Sequence, residues 1–121
     1  MNWIDLLIAV AILAAIVLYR RSGLISIKDA EAHVKAGAMV IDVRTAGEFV
    51  AGHLPMAVNL PVSEIETSFS RRVTDKSQVL LLYCQTGARS GSARSKLIAL
   101  GCPNVYNMGS YNRAERIVSG K

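Results

Sequence analysis

From Ile4 to Tyr19 the chain reads IDLLIAVAILAAIVLY, an unbroken apolar run in which Asp5 is the sole charge. Beyond Ser22-Gly23 the pattern shortens into alternating blocks. Leu24 to Ile27 predicts a short strand, and Lys28 to Lys35 (KDAEAHVK) a helix ending at Gly37, a residue suited to a helix C-terminus. Ala38 to Val43 (AMVIDV) and Gln78 to Tyr83 (QVLLLY) are continuous apolar runs, as expected of strands buried on both faces. Thr45 to Ala51 predicts a short helix stopped by Gly52, and Val58 to Leu60 a small strand between Pro55 and Pro61. Ser63 to Arg72 opens on Ser63-Glu64-Ile65-Glu66, a capping-box pattern, and predicts a further helix. Ser90 to Leu100 predicts a helix ending at Gly101, Val105 to Asn107 a last strand, and Tyr111 to Val118 a weak terminal helix. Strands alternating with helices argue for a parallel sheet in an α/β fold.

The first block admits three readings. Trp3 to Tyr19 would span roughly 25 Å as a helix at about 1.5 Å per residue, at the short end of what crosses a bilayer. Trp3 and Tyr19 at its ends suit an aromatic belt. A cleaved signal peptide should carry cations before the apolar run and small residues after it, whereas MNWID precedes and YRR follows. A buried core helix would show some polar face, and Leu6 to Leu18 has none. An anchor over residues 1–21, embedded through residues 3–19, is the reading these flanks favour, with one domain over 22–121. Arg20 and Arg21 then place that domain on the cytoplasmic side of a single-pass chain.

With 121 residues in all, a second domain is excluded, and 51% hydrophobic against 19% charged residues excludes a disordered chain. Net charge is +5, but no helix-turn-helix, finger or aromatic RNA-binding pattern accompanies it, so no nucleic-acid partner is expected. An anionic leaflet or a small anionic substrate accounts for the charge as well. Two cysteines and two histidines offer neither a disulfide scaffold nor paired metal-ligand spacing; no metal or cofactor is expected.

The chemistry concentrates after QVLLLY, where Cys84 is followed by Gln85-Thr86-Gly87-Ala88-Arg89-Ser90 and then a helix. Ligands in open α/β sheets bind outside the carboxyl ends of the strands. A thiol facing a helix N-terminus meets unpaired N–H groups and the positive end of the dipole, and both favour the thiolate. Gly87 permits a tight turn with inward amides, and Arg89 adds a cation for an oxyanion. The same run is also compatible with a small buried cysteine followed by an ordinary turn.

Two separated stretches resemble a known family. Ile41 to Pro61, IDVRTAGEFVAGHLPMAVNLP, resembles the Asp-Val-Arg, Glu-Phe and Gly-His-Ile-Pro signature of single-domain rhodanese-like sulfurtransferases. Tyr83 to Ser90, YCQTGARS, resembles their active-site loop, and VYNMGS at Val105 to Ser110 echoes their final strand and Gly-Gly turn. The resemblance implies a small central parallel sheet flanked by helices, here preceded by one transmembrane helix. It implies a Cys84 nucleophile that accepts a sulfane sulfur from a donor such as thiosulfate and passes the persulfide sulfur to cyanide or a thiol. Backbone amides of Gln85, Thr86, Gly87, Ala88 and Ser90 would stabilise the persulfide, and Arg89 would hold a small anionic donor. Asp42 would brace the loop, and Arg44 would pair with Glu48. Four residues lie between Cys84 and Arg89. Phosphatases of the related fold carry one more, which argues against phosphate or arsenate chemistry. A non-catalytic or persulfide-carrying module that docks a protein acceptor at the membrane is the alternative. His53 is expected to cap the turn before Pro55 and His33 to lie on the surface, while Cys102 is a candidate resolving thiol. Gly109-Ser110-Tyr111 replaces the family's Gly-Gly and Trp, so weak docking of the last helix is expected.

Overall fold

The structure, a computed structural model, describes residues 2–120. Met1 and Lys121, the outer ends of the expected anchor and domain, lie outside them. Helix α1 (Trp3–Ser22) is a single 20-residue helix, started by the Asn2 side chain accepting from the Asp5 amide and ended at Gly23 in left-handed conformation. Its Trp3–Arg20 window has mean hydropathy 2.1 and no buried share, so by length and composition it is a candidate membrane anchor.

The expected strand at Leu24 to Ile27 shrinks to one bridge from Leu24 to Asn107, flanked by Ile25 N–H donating to Asn107 O and Asn107 N–H donating to Gly23 O, both at 3.0 Å. Ser26 then accepts from the Asp29 amide and opens α2 (Ile27–Lys35), ending the extended stretch early. The remaining elements are β1 (Met39–Asp42), α3 (Ala46–Ala51), β2 (Val58–Asn59), a 3-10 turn (Val62–Glu64), α4 (Ile65–Arg72), β3 (Leu80–Tyr83), α5 (Ala88–Ala99), β4 (Val105–Gly109) and α6 (Tyr111–Ser119). All strand pairs are parallel, in the order β2-β1-β3-β4, with β3 central.

Side chains alternate across a strand, and β3 divides its residues accordingly. Leu80, Leu82 and Cys84 join Ile65 and Phe69 of α4 and Ala93 and Leu97 of α5 in one buried layer. Leu81 and Tyr83 join Ala30 of α2 and Ala114 and Ile117 of α6 in the other. Two covered faces explain why this strand reads as one apolar run.

Two expectations are corrected. The capping box at Ser63 does not form. Pro61 leads into the 3-10 turn, α4 starts only at Ile65, and no side chain caps it. A capping box forms instead in α3, between Thr45 and Glu48. The last helix is also firmly docked. Ser110 caps it, Ala114 and Ile117 are buried, and Arg113 donates to Met108 O (2.8 Å) and Ile25 O (2.6 Å).

The end of α1 is seated on the domain. The Arg94 side chain covers Gly23, where any Cβ would collide with it, and Arg94 Nε donates to Val105 O at 2.8 Å. Gly91, on the first turns of α5, lies against Ser22; a Cβ there would make ordinary contact with Ser22 Cα at 3.6 Å.

Candidate active site

Cys84 leaves the C-terminal end of β3 fully buried, and the chain turns at Gly87 into α5. The Gly87 amide donates to Cys84 Sγ at 3.0 Å. Gly87 has φ +101°, and a Cβ there would lie 3.2 Å from Gly109 Cα, so only glycine lets the loop press against the end of β4. Burial pushes the Cys84 thiol up, but the Ser90 hydroxyl and the amides of Ser90, Gly87 and Thr86 outweigh it. The net displacement is below the ordinary cysteine value.

Ser90 Oγ stands 3.5 Å from Sγ but 2.6 Å from Asn107 Oδ1, and it has one proton. The shorter distance directs that proton to Asn107 Oδ1, and the Gly87 amide supports the sulfur beside it. Asn107 is buried and makes three loop contacts: Oδ1 accepts from Ser90 and from the Gly109 amide (2.8 Å), and Nδ2 donates to Gly87 O (3.2 Å). These backbone partners fix the orientation of its amide. The ladder between β3 and β4 slips at this point, where Tyr83 pairs with Gly109 rather than Met108. Asn107 was missed in the sequence. Its signal was a poor strand former set among the strand-forming residues of VYNM.

The other expected site residues divide. Asp42 and Arg44 are both buried and joined by three side-chain contacts, the shortest Arg44 Nη2 to Asp42 Oδ2 at 2.7 Å. Arg44 also donates to Gly52 O (2.6 Å) and Gln85 Oε1 (3.4 Å), and its guanidinium lies 4.9 Å from the Tyr111 ring centroid. Arg44, rather than Asp42, therefore reaches the loop. The expected Arg44–Glu48 pair is not formed, because Asp42, two residues away on the same strand end, already occupies Arg44. Glu48 pairs with Arg89 instead, Nη1 to Oε1 at 2.6 Å and Nη2 to Oε2 at 3.0 Å. That guanidinium and the Thr45 amide hold the Glu48 carboxyl down at about 2, from 4.5. Thr86 bridges to Ser110, Gln85 O accepts from the Tyr111 amide, and Ala88 is exposed on the first turn of α5.

His53 is exposed, stacks on Phe49 with centroids 3.6 Å apart, and has Nδ1 2.7 Å from Phe49 O. It closes the end of α3 rather than facing Cys84. His33 is half-buried and stacks on Tyr106. Cys102 is buried in the core just before β4, and burial pushes its thiol up. With β3 and β4 parallel, Cys84 and Cys102 sit at opposite ends of the sheet, so the two thiols are not placed to pair.

Two clefts flank the Glu48–Arg89 pair. One, of about 260 Å³, is lined by Arg44, Glu48, Gln85 and Tyr111 among others; the second, of about 390 Å³, by Arg89, Lys96, Pro61 and Val62 among others. A larger cleft of about 490 Å³ beside Arg71 and Arg72 contains no residue of the cysteine loop.

The model of the rhodanese-like domain family matches residues 26–114. The chain belongs to the rhodanese-like family. It is 41% identical over 71 residues to the uncharacterized protein YqhL of Bacillus subtilis (strain 168), covering 59% of this chain and 55% of that protein. It is 33% identical over 69 residues to thiosulfate sulfurtransferase PspE of Escherichia coli (strain K12), covering 57% of this chain and 66% of that protein. The chain thus spans between about half and two thirds of these relatives' lengths. Among solved structures, the human single-domain sulfurtransferase TSTD1 superposes with TM-score 0.67 at 27% identity, covering 78% of this chain and 96% of that one. A rhodanese with anions from E. coli superposes with TM-score 0.60 at 30% identity, covering 64% and 91%. The rhodanese-like domain therefore has the expected α/β architecture with its four-stranded parallel sheet, preceded by the apolar helix.

Proposed function

We propose that this protein is a membrane-tethered sulfurtransferase acting through a Cys84 persulfide. The observation that carries the reading is the Gly87 amide on Cys84 Sγ at the N-terminus of α5, a preorganised donor facing an anionic sulfur. The thiolate attacks the outer sulfur of a sulfane donor, thiosulfate or a hydropersulfide. The donor's sulfur–sulfur bond breaks, and sulfite or a thiolate leaves with the electron pair. A thiophilic acceptor, cyanide or a thiol, then takes the sulfur and regenerates the thiolate. The names of PspE and TSTD1 support this chemistry. We further propose that α1 spans the bilayer once, with Arg20 and Arg21 marking the cytoplasmic side on which the domain lies.

The test is the intact mass of the reduced full chain in detergent micelles, before and after a sulfane donor and then after cyanide. A gain of about 32 Da in the wild type but not in Cys84→Ser, reversed by cyanide with release of thiocyanate, is the expected result. No gain from either donor in folded, reduced protein would overturn the reading. For sidedness, a protease added outside sealed cells should leave the domain intact; cleavage there would reverse the proposed orientation.

A further inference from the structure

No linker separates α1 from the domain. Ser22 lies three residues beyond Tyr19, roughly 4.5 Å along a helix axis, which is less than the about 5–8 Å depth of a headgroup layer. What meets α1 at that level is one flank of α5. Gly91, Arg94 and Ile98, at i, i+3 and i+7, share a face beside the one that buries Ser90, Ala93 and Leu97. Gly91 lies against Ser22, the Arg94 side chain covers Gly23, and Ile98, one turn further on, is 43% exposed. Arg94 is aimed by the bond from its Nε to Val105 O at 2.8 Å. Its two terminal nitrogens meet no acceptor among the described residues, and neither is buried. Arg44, Arg89 and Arg113, by contrast, are spent on Asp42, Glu48 and two carbonyl oxygens. Acids are also missing from the segments that build this flank: none occurs between Asp5 and Asp29, or between Asp75 and Glu115. An open, planar guanidinium next to an exposed apolar side chain at headgroup level matches a phosphate ester with acyl chains beneath it.

We propose that this flank of α5 docks on the bilayer surface, with Arg94 holding the phosphate of an anionic phospholipid and Ile98 dipping toward the acyl chains. This rests on the reading of α1 as the membrane anchor. Arg20 and Arg21, at the end of the same anchor, add positive charge at the same level. Because Gly91 directly follows Ser90, the docked flank holds the cysteine loop beside the lipid headgroups.

The experiment reconstitutes the full chain in vesicles of phosphatidylcholine and phosphatidylglycerol, in a Trp3→Phe background. An indole is introduced by Ile98→Trp or, as the control, by Val50→Trp. Val50 is 82% exposed on α3, which leads into β2 at the opposite edge of the sheet. Phospholipids brominated high on their acyl chains should quench Ile98→Trp at least about threefold more than Val50→Trp. A second readout uses native mass spectra of the chain released from micelles containing phosphatidylglycerol. There Arg94→Gln should retain about fivefold less of that lipid than wild type. Cys102, still shielded from a thiol reagent, shows that the variant is folded. Equal quenching at the two positions overturns docking by α5, and equal lipid retention by Arg94→Gln overturns the phosphate contact. A chain stripped from the vesicles by alkaline carbonate overturns the anchor reading, and this inference with it.

Discussion

Replacing Asn107 by leucine, which has the same branched outline but no polar atoms, should unseat the cysteine loop from β4. The change removes the acceptor of the Gly109 amide (2.8 Å) and of the Ser90 hydroxyl (2.6 Å), and the donor to Gly87 O (3.2 Å), in a buried setting. Gly87 O keeps the Gly91 amide and lies 3.1 Å from Ser90 Oγ, which can donate there instead. The main loss is therefore the stranded Gly109 N–H, worth about 1–3 kcal/mol. A loss of about 2 kcal/mol corresponds to a Tm lower by roughly 8–16 °C for a domain of this size. Cys102, buried in the core, is a suitable reporter, because its labelling by a thiol reagent requires the domain to open. Labelling of Cys102 against temperature, in full-length protein in micelles, measures the shift. A midpoint within about 3 °C of wild type would refute the claim that Asn107 organises the loop.

Gly87→Ala should be worse for chemistry than for folding. Its Cβ would lie 3.2 Å from Gly109 Cα at a φ of +101°, forcing the loop away from β4, so sulfur uptake on Cys84 should fall at least about tenfold for a strain of about 1–3 kcal/mol; wild-type uptake would contradict this. The lowered thiol of Cys84 and the raised thiol of Cys102 predict that iodoacetamide at pH 8 marks Cys84 first, and equal labelling in peptide maps of folded protein would count against it. Because the Cys84 pKa is depressed by folding, its contribution to stability is present above the unfolded value of 9.0 and is lost as pH falls through the folded value. The stability gap between wild type and Cys84→Ser should widen as pH rises toward 9.0. The Glu48 carboxyl, also depressed, should titrate by NMR with a midpoint near about 2, and its pairing with Arg89 should persist until the pH falls to that value. A midpoint at the ordinary 4.5 would show that the pair does not hold in solution.

The elements were legible wherever the physical signal is local. The runs AMVIDV and QVLLLY became β1 and β3 because strands covered on both faces have no polar side to show. Cys84 ahead of a glycine turn and a helix was legible for the same reason: strand, turn and helix start are contiguous in the chain. Ser63 misled because a capping-box pattern states only that a cap is possible, and Pro61 had already committed the backbone to a 3-10 turn.

Partner choice was not legible. Arg44 and Glu48 are four residues apart and of opposite charge, and nothing in the sequence says that Arg44 belongs to Asp42 or that Glu48 reaches 41 positions onward to Arg89. Asn107 acts on Ser90 and Gly87 across the β3–β4 pairing, through a register slip that appears only once the strands are side by side. The sequence alone determined which segments become strands and helices, the apolar first helix and the position of the thiol, since these depend on burial period and local backbone chemistry. The tertiary structure alone decided which charge meets which, because an ion pair or a buried amide is a matter of distance between segments, and distance is set by how the layers pack.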